Sequence, residues 1–174
     1  MKRARIAFAL GSLPVLSLVL SFIHPWGNPR AGAQPGAPLL EGGSVPDDVR
    51  RVLTTKCGDC HSQNTRYPVY SYLAPVSWMI EHDVEEARGH MNLSRWQWLS
   101  DADRISALSR MASEVNAGEM PPKRYRMLHP EARFSAEEQK LIYDWARAER
   151  KRLRQDAAAH RSDESNLETR QGTP

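Results

Sequence analysis

The feature that most constrains this chain is the pentapeptide Cys57-Gly-Asp-Cys60-His61, because its two cysteines are the only ones among 174 residues. The pattern C-x-x-C-H is the attachment motif for a c-type haem. Two thiols three positions apart can each add to one vinyl group of the same porphyrin, and the following histidine supplies the proximal axial ligand. The sequence therefore predicts one covalent haem c, held by Cys57, Cys60 and His61.

Three other uses of the motif are chemically possible. A thioredoxin-like redox pair needs a preceding strand and a βαβ context, and no such pattern is present. A zinc site built on Cys57 and Cys60 needs a second close ligand pair, whereas His82 and His90 are eight residues apart. A structural disulfide explains the cysteines but leaves His61 without a role. Zinc and a disulfide remain the alternatives to haem.

The N-terminus has the composition of an export segment. A basic stretch at residues 2–5 precedes an uncharged, mostly apolar run from Ile6 to Ile23, which is typical of a signal peptide or a single membrane helix. The 18 residues are near the short limit of the roughly 17–25 that span a bilayer. We predict an uncleaved signal anchor over residues 1–24, on the periplasmic side of a bacterial inner membrane. Cleavage at Ala31-Gly32-Ala33, which would release a soluble periplasmic protein, is the alternative.

Charge gives no reason to expect a nucleic acid partner. Residues 1–33 contain four basic side chains and no acid, whereas the remaining 141 residues hold 20 basic and 21 acidic side chains, a balance of −1. The basic character of the chain thus belongs to its N-terminus.

Composition also divides the chain. Ten of the 22 residues from Pro25 to Pro46 are proline or glycine, which predicts a flexible linker over residues 25–45. Residues 155–174 contain one leucine and no aromatic side chain, and a disordered tail is expected there. One haem-binding domain, residues 46–154, remains between them.

The pattern within this domain is helical. Four helices are predicted, beginning near Ser44, Pro75, Ser100 and Ser135, where Ser135 and Glu138 form a capping box. The second helix has an apolar stripe at i, i+3 and i+4 spacing that should face inward, formed by Val76, Met79, Ile80, Val84 and Ala87. No segment alternates with a period of two. We predict an all-α domain of about four helices, with long loops at 57–74 and 117–134.

The second long loop contains the best candidate for the distal haem ligand. Met120 lies in Gly118-Glu-Met-Pro-Pro122, where no helical stripe explains a methionine and two prolines restrict the backbone. Met79 and Met111 lie on apolar helix stripes, where core packing is the simpler interpretation. We predict Met120 as the sixth ligand, with His82, His90 or an open site as alternatives.

Side chains in and after the first long loop complete the predicted haem site. Tyr67 and Trp78 could surround the porphyrin and donate hydrogen bonds to its propionates, with ordinary packing as the alternative for each. Arg66 and Arg88 are candidate propionate partners.

Together these segments resemble the small haem-binding domain family related to class I cytochromes c. The similarity covers about residues 46–150, and it is carried by residues 57–78 (CGDCHSQNTRYPVYSYLAPVSW), 83–96 (DVEEARGHMNLSRW), 118–125 (GEMPPKRY) and 129–145 (HPEARFSAEEQKLIYDW). It implies a cytochrome c-like fold, His61 as proximal ligand, Met120 as distal ligand and an N-terminal membrane anchor. Where the family usually has Trp-Pro-Trp-Tyr, this chain has Tyr67-Pro68-Val69-Tyr70, so contacts made by those tryptophans differ here.

An iron atom with histidine and methionine on both axial positions has no open site for a substrate, which suits one-electron transfer. The sequence thus predicts a membrane-tethered electron carrier rather than an enzyme, with a redox protein as its partner. A haem-based sensor or a peroxidase-like protein with an open or displaceable distal site is the alternative.

Overall fold

The computed structural model describes residues 12–31, 33–34 and 38–171, and every regular element in those ranges is helical. In chain order the α-helices are α1 (residues 12–20), α2 (Asp47–Lys56), α3 (Gly58–His61), α4 (Val76–His90), α5 (Asp101–Ala117), α6 (Lys123–Leu128) and α7 (Ala136–Gln171). Short 3-10 helices span Val69–Tyr72, Leu93–Trp98 and Pro130–Ala132. The predicted all-α class is confirmed. The two predicted long loops contain short helices, which no periodic pattern in the sequence predicted.

The chain divides into two compact units. The first unit comprises Met1–Ala37 and Gly58–Leu93, and the second comprises Pro38–Cys57 and Ser94–Pro174. One domain over residues 46–154 was predicted. The contacts divide that span between the two units and place N-terminal residues in the first unit.

In the first unit, α4 packs against α3 and against the 3-10 helix Val69–Tyr72. The buried positions of α4 are Ser77, Glu81 and Val84, which follow i, i+4 and i+7 spacing. Val76 and Met79, which were predicted to face inward, are 38% and 45% exposed. The helix is turned relative to its predicted orientation, because its buried face contains a carboxylate that pairs with an arginine from the N-terminus.

That arginine belongs to a segment we call the N-terminal strap, residues 23–31. The strap was predicted to be mostly flexible linker, but it is fixed to α4 by side chains that donate to its carbonyl groups. Trp78 Nε1 donates to the Ile23 carbonyl at 2.8 Å, and Arg88 NH1 donates to the Pro29 carbonyl at 3.0 Å. Proline and glycine do not prevent such an arrangement, since backbone carbonyl groups that are not paired within a regular helix or sheet remain available as acceptors.

In the second unit, α7 packs against α5 and α2. The buried core side chains come from all three helices and include Val49, Leu53, Leu108, Met111, Val115, Ile142 and Ala146. Removing a leucine side chain of this kind from water stabilises the fold by about 1.5–3 kcal/mol. Leu39 and Leu40, from the other part of the predicted linker, are also buried, and the Leu39 carbonyl accepts a hydrogen bond from Arg50 NH1.

Local signals set the ends of the two long helices of this unit. Ser100 Oγ accepts from the Asp103 N–H, and Gly118 ends α5 in the left-handed conformation with φ of 69°. At the start of α7, Ser135 Oγ accepts from the Glu138 N–H at 3.1 Å, and Glu138 Oε2 accepts from the Ser135 N–H at 2.9 Å. These reciprocal bonds are the predicted capping box.

The predicted disordered tail differs from the structure, because α7 continues through residues 155–171. Leu153 is buried, but no side chain from 154 to 162 is. Helix-favouring residues and ion pairs along the helix sustain this part, including Arg152 with Glu149 at 2.6 Å and with Asp156 at 2.7 Å.

Within the described part of the chain, no helix is both long enough and apolar enough to span a bilayer. The basic residues 2–5 and residues 6–11 of the apolar run lie outside the described residues.

Candidate functional site

The haem-attachment motif lies where α2 ends and α3 begins. Cys57 closes α2, and its N–H donates to the Leu53 carbonyl at 3.0 Å. Cys60 and His61 lie on α3. Both cysteines are partly exposed and they are not joined by a disulfide. The thiols are therefore accessible for thioether formation.

The imidazole of His61 is oriented by a backbone carbonyl group. Its Nδ1 lies 3.0 Å from the Met91 carbonyl oxygen, just beyond the end of α4. Burial lowers the pKa of His61, and backbone acceptors at Met91 and Ala87 partly oppose that effect. A neutral ring that donates from Nδ1 carries its lone pair on Nε2, and this is the usual arrangement of a histidine that ligates a metal.

Residues of the motif form hydrogen bonds that hold the segment after it, residues 62–66. Asp59 accepts from the Arg66 backbone N–H and from Arg66 Nε, both at 3.1 Å, and from Arg66 NH2 at 3.0 Å. Ser62 Oγ donates to the Gly58 carbonyl at 2.7 Å. Arg66, predicted to bind a propionate, is thus engaged by a carboxylate, although 71% of its side chain stays exposed.

Arg88, the other predicted propionate partner, connects three parts of the first unit. Its Nε donates to the Ser62 carbonyl, NH1 to the Pro29 carbonyl and NH2 to Thr65 Oγ1, each at 3.0 Å. The guanidinium group therefore joins α4 to the strap and to the segment after the motif. This is a positioning role that the sequence did not indicate.

Tyr67 and Trp78, the predicted aromatic neighbours of the haem, both contact the strap. The Arg30 guanidinium carbon lies 4.6 Å from the centre of the Tyr67 ring, and Trp78 donates to Ile23 as described above. The Tyr67 hydroxyl group is buried and has no hydrogen-bond partner among the described residues. A buried phenol of this kind is a suitable donor for an anionic group, as its predicted role requires.

A buried ion pair beside these residues, between Glu81 and Arg30, was not predicted from the sequence. Glu81 is fully buried, and its Oε1 lies 2.6 Å from Arg30 NH1 and 2.9 Å from His24 Nδ1. Arg30 NH2 also donates to the Ser71 carbonyl, and its guanidinium covers the ring of Tyr72 at 4.8 Å. One signal was available, since Arg30 is the only Lys, Arg, Asp or Glu between residues 6 and 40.

Met120 lies in the second unit, in the turn between α5 and α6. The backbone N–H groups of Glu119 and Met120 donate to the Glu114 carbonyl at 3.0 and 3.4 Å, and Arg126 NH2 donates to the Gly118 carbonyl at 3.2 Å. Pro121 is buried, whereas Met120 is 37% exposed. Its thioether is therefore held by a defined turn without being packed in the core, in contrast to the buried Met111.

The alternative histidine ligands, His82 and His90, are on the exposed surface of α4. His82 Nδ1 lies 3.8 Å from Glu86 Oε2 and 3.9 Å from Asp83 Oδ1, while His90 Nε2 lies 4.0 Å from Glu86 Oε1. Among the described residues, the group of side chains that could share a metal ion is His82, Asp83 and Glu86. It contains neither cysteine, so the predicted zinc alternative gains no support from this geometry.

Comparison with known proteins identified one family. The family model described as a haem-binding domain matches residues 15–148, which is more than half of the chain and includes the strap and both predicted axial ligands. Comparisons with curated proteins and with solved structures gave no significant match.

Proposed function

The chain belongs to the haem-binding domain family, and on that premise we propose that it is a periplasmic, membrane-tethered c-type cytochrome that carries single electrons. The observation that best supports this is the state of His61. A neutral imidazole directed by the Met91 carbonyl directly follows the second of two accessible cysteines. That donor set fits a covalently attached haem.

In this proposal Cys57 and Cys60 would hold one haem through thioether bonds, and His61 Nε2 and Met120 Sδ would ligate its iron. The haem would supply an iron centre able to take up and release single electrons. The chain's own residues keep the ligands in place, because Met91 directs the imidazole while Arg88 and the Asp59–Arg66 pair fix the backbone on either side. A site that changes little between oxidation states favours rapid electron transfer to a partner protein.

An uncleaved N-terminus is supported by the ion pair of Glu81. Cleavage after Ala33 would remove Arg30 and His24, the two groups that contact its buried Oε1. Removing one partner of a buried pair costs about 3–5 kcal/mol, because a charge is left without compensation. We therefore favour a signal anchor that stays attached and holds the protein at the periplasmic face of the inner membrane.

The first test is chemical. We expect the intact mass of the protein, purified from membranes, to equal the full chain plus one haem, and we expect the chromophore to stay with the polypeptide after denaturation. A Cys57→Ala/Cys60→Ala variant should lose the chromophore under the same treatment. A haem-free wild-type protein, purified after co-expression with a haem-attachment system, would contradict the proposal and favour zinc or a disulfide.

The partial exposure of Met120 favours one second candidate, a haem-based sensor or peroxidase-like protein in which this ligand is displaced. The two functions differ in their reaction with carbon monoxide. For the electron carrier, we expect the reduced wild type to bind no carbon monoxide at neutral pH, whereas Met120→Ala binds it readily. Met127→Ala is the matched control, since Met127 is 78% exposed and follows Met120 by only seven residues.

Carbon monoxide binding by the reduced wild type would favour the sensor or peroxidase-like function. Identical behaviour of wild type and Met120→Ala would show that Met120 is not the distal ligand. The sulfur–iron charge-transfer band of the oxidised protein gives an independent reading, and it should disappear in Met120→Ala alone.

A further inference from the structure

Two uncharged segments of the first unit expose large apolar side chains. One is residues 12–23 and the other is residues 67–80, and neither contains Lys, Arg, Asp or Glu. In the second segment Val69 is 84% exposed, Tyr72 54%, Leu73 46% and Met79 45%. In the first, the exposed side chains include Leu13, Val15, Leu16, Leu18, Val19, Phe22 and Ile23. Contiguous apolar surface of this kind on a folded protein marks a site of contact with another apolar body.

The two segments are joined to each other by hydrogen bonds. Ser17 Oγ donates to the Ala74 carbonyl at 2.5 Å, and Ser21 Oγ accepts from the Ala74 N–H at 2.9 Å. Trp78 Nε1 adds its bond to the Ile23 carbonyl. Both backbone groups of Ala74 are therefore satisfied by serines of the N-terminal segment. The segment around Ala74, with its exposed apolar side chains, is therefore held beside α1.

These bonds also fix the position of the segment around Ala74 along the axis of α1. Ser17 precedes the end of α1, residue 20, by three residues, which is about 4.5 Å along a helix that rises 1.5 Å per residue. If α1 enters a bilayer, the segment around Ala74 lies at the depth of Ser17. Interfacial segments bury their apolar face about 5–10 Å into the boundary between headgroups and acyl chains, so a position less than one turn below the end of α1 is close to the shallow end of that range.

The side chains suit that environment. Tyr70 and Tyr72 are exposed in the second segment, and Trp26 is exposed just after the first. Tyrosine and tryptophan are enriched at membrane interfaces, where an apolar ring and a polar tip each find their preferred surroundings. No side chain between residues 67 and 80 is charged, and the Arg30 guanidinium that covers the Tyr72 ring is paired with the buried Glu81.

From this surface we infer that residues 69–79 form a membrane-contact surface, which inserts into the periplasmic leaflet beside α1. The inference rests on the proposed anchoring by the N-terminal segment. It adds a second, peripheral contact with lipid, so that the first unit lies against the bilayer rather than at the end of a free tether.

The test is site-specific photo-crosslinking of the full-length protein in native membranes. A benzophenone amino acid is placed in separate variants at position 69 or 73 of the surface, at 16 in α1, and at 127 or 128. Met127 and Leu128 are matched controls, being 78% and 67% exposed but belonging to the second unit. Each variant is checked for its haem spectrum before irradiation.

We expect phospholipid adducts, seen as a mass increase, at positions 16, 69 and 73 and none at 127 or 128. Crosslinks from 69 and 73 to a second copy of the chain, or to another protein, would overturn the inference in favour of a protein interface. Lipid adducts at 16 but none at 69 or 73 would overturn it while leaving the anchor intact. If position 16 also gives no lipid adduct, the proposed anchoring itself fails. The spectrum still reports on the haem in every case.

Discussion

At the scale of single residues, the Arg30–Glu81 pair is the contact whose loss the fold should tolerate least. Glu81 has no exposed surface, and the guanidinium of Arg30 lies 2.6 Å from its Oε1. Arg30 is also held between two tyrosine rings and the Ser71 carbonyl. Burial makes the pair costly to form and costlier to break, because the Glu81 carboxylate left alone has no water to solvate it.

We therefore expect Arg30→Met to lower the free energy of unfolding by roughly 3–5 kcal/mol, measured by denaturant titration of the haem-loaded protein. In Arg30→Met/Glu81→Leu most of the loss should be recovered, since the carboxylate that lacked a partner is gone. Arg66→Ala is the control, because the exposed pair with Asp59 is worth at most about 1 kcal/mol. Additive losses in the double variant would contradict this account.

At the scale of secondary-structure elements, two glycines serve different purposes. Gly118 ends α5 with φ of +69°, whereas Gly89 lies within α4, and at neither position would a new Cβ meet an atom within 4 Å. Because both positions have open space, the effect of a substitution depends on the backbone alone. An L-residue is strained in the left-handed conformation, while alanine is favoured over glycine inside a helix.

The two Gly→Ala substitutions should therefore have opposite signs. We expect Gly118→Ala to destabilise the protein by about 1–2 kcal/mol and Gly89→Ala to stabilise it by about 0.4–1 kcal/mol. Thermal unfolding followed by circular dichroism would measure both. Equal shifts in one direction would show that α5 does not depend on its left-handed end.

Elements with local signals were predictable from the sequence. Ser100 and Gly118 delimit α5, and the Ser135–Glu138 box begins α7, because caps depend on residues within one turn. The short helices α3 and α6 were not predictable, since four or six residues carry no measurable period. At the end of α7, composition predicted a disordered tail over residues 155–174, whereas the helix continues to Gln171, because propensity rather than burial decides whether such a segment is helical.

The orientation of α4 could not be predicted from its own residues. Its apolar stripe favoured Val76 and Met79 as inward positions, yet Ser77 and Glu81 are buried instead. The reason lies 51 residues earlier, at Arg30. At the candidate site, likewise, the motif predicted His61 as a haem ligand. The Met91 carbonyl that directs His61 could not be predicted, because it is a backbone group that every residue type carries.

At the scale of the whole molecule, the two ends of the chain contribute unequally. The strap contains a buried proline and the partners of Glu81, whereas no side chain between residues 154 and 162 is buried. Stability should follow burial rather than helical content, because packing supplies most of the favourable free energy.

We expect a chain that begins at Gln34 to unfold at a clearly lower temperature than the full chain, since Glu81 then lacks both described partners. A chain that ends at Arg154 should unfold within a few degrees of the full chain, although it loses 17 helical residues, 155–171. Calorimetry of the haem-loaded proteins would measure both. Equal losses at the two ends would show that the strap is not an integral part of the fold.

The separation of Arg30 from Glu81 also orders events in time. Residues 23–31 leave the ribosome first, but they cannot dock until Glu81, 51 residues later, has followed. Closing a loop of this length costs conformational entropy that grows with its length. We therefore expect the strap, although it is synthesised before Glu81, to dock only once that part of the first unit has formed.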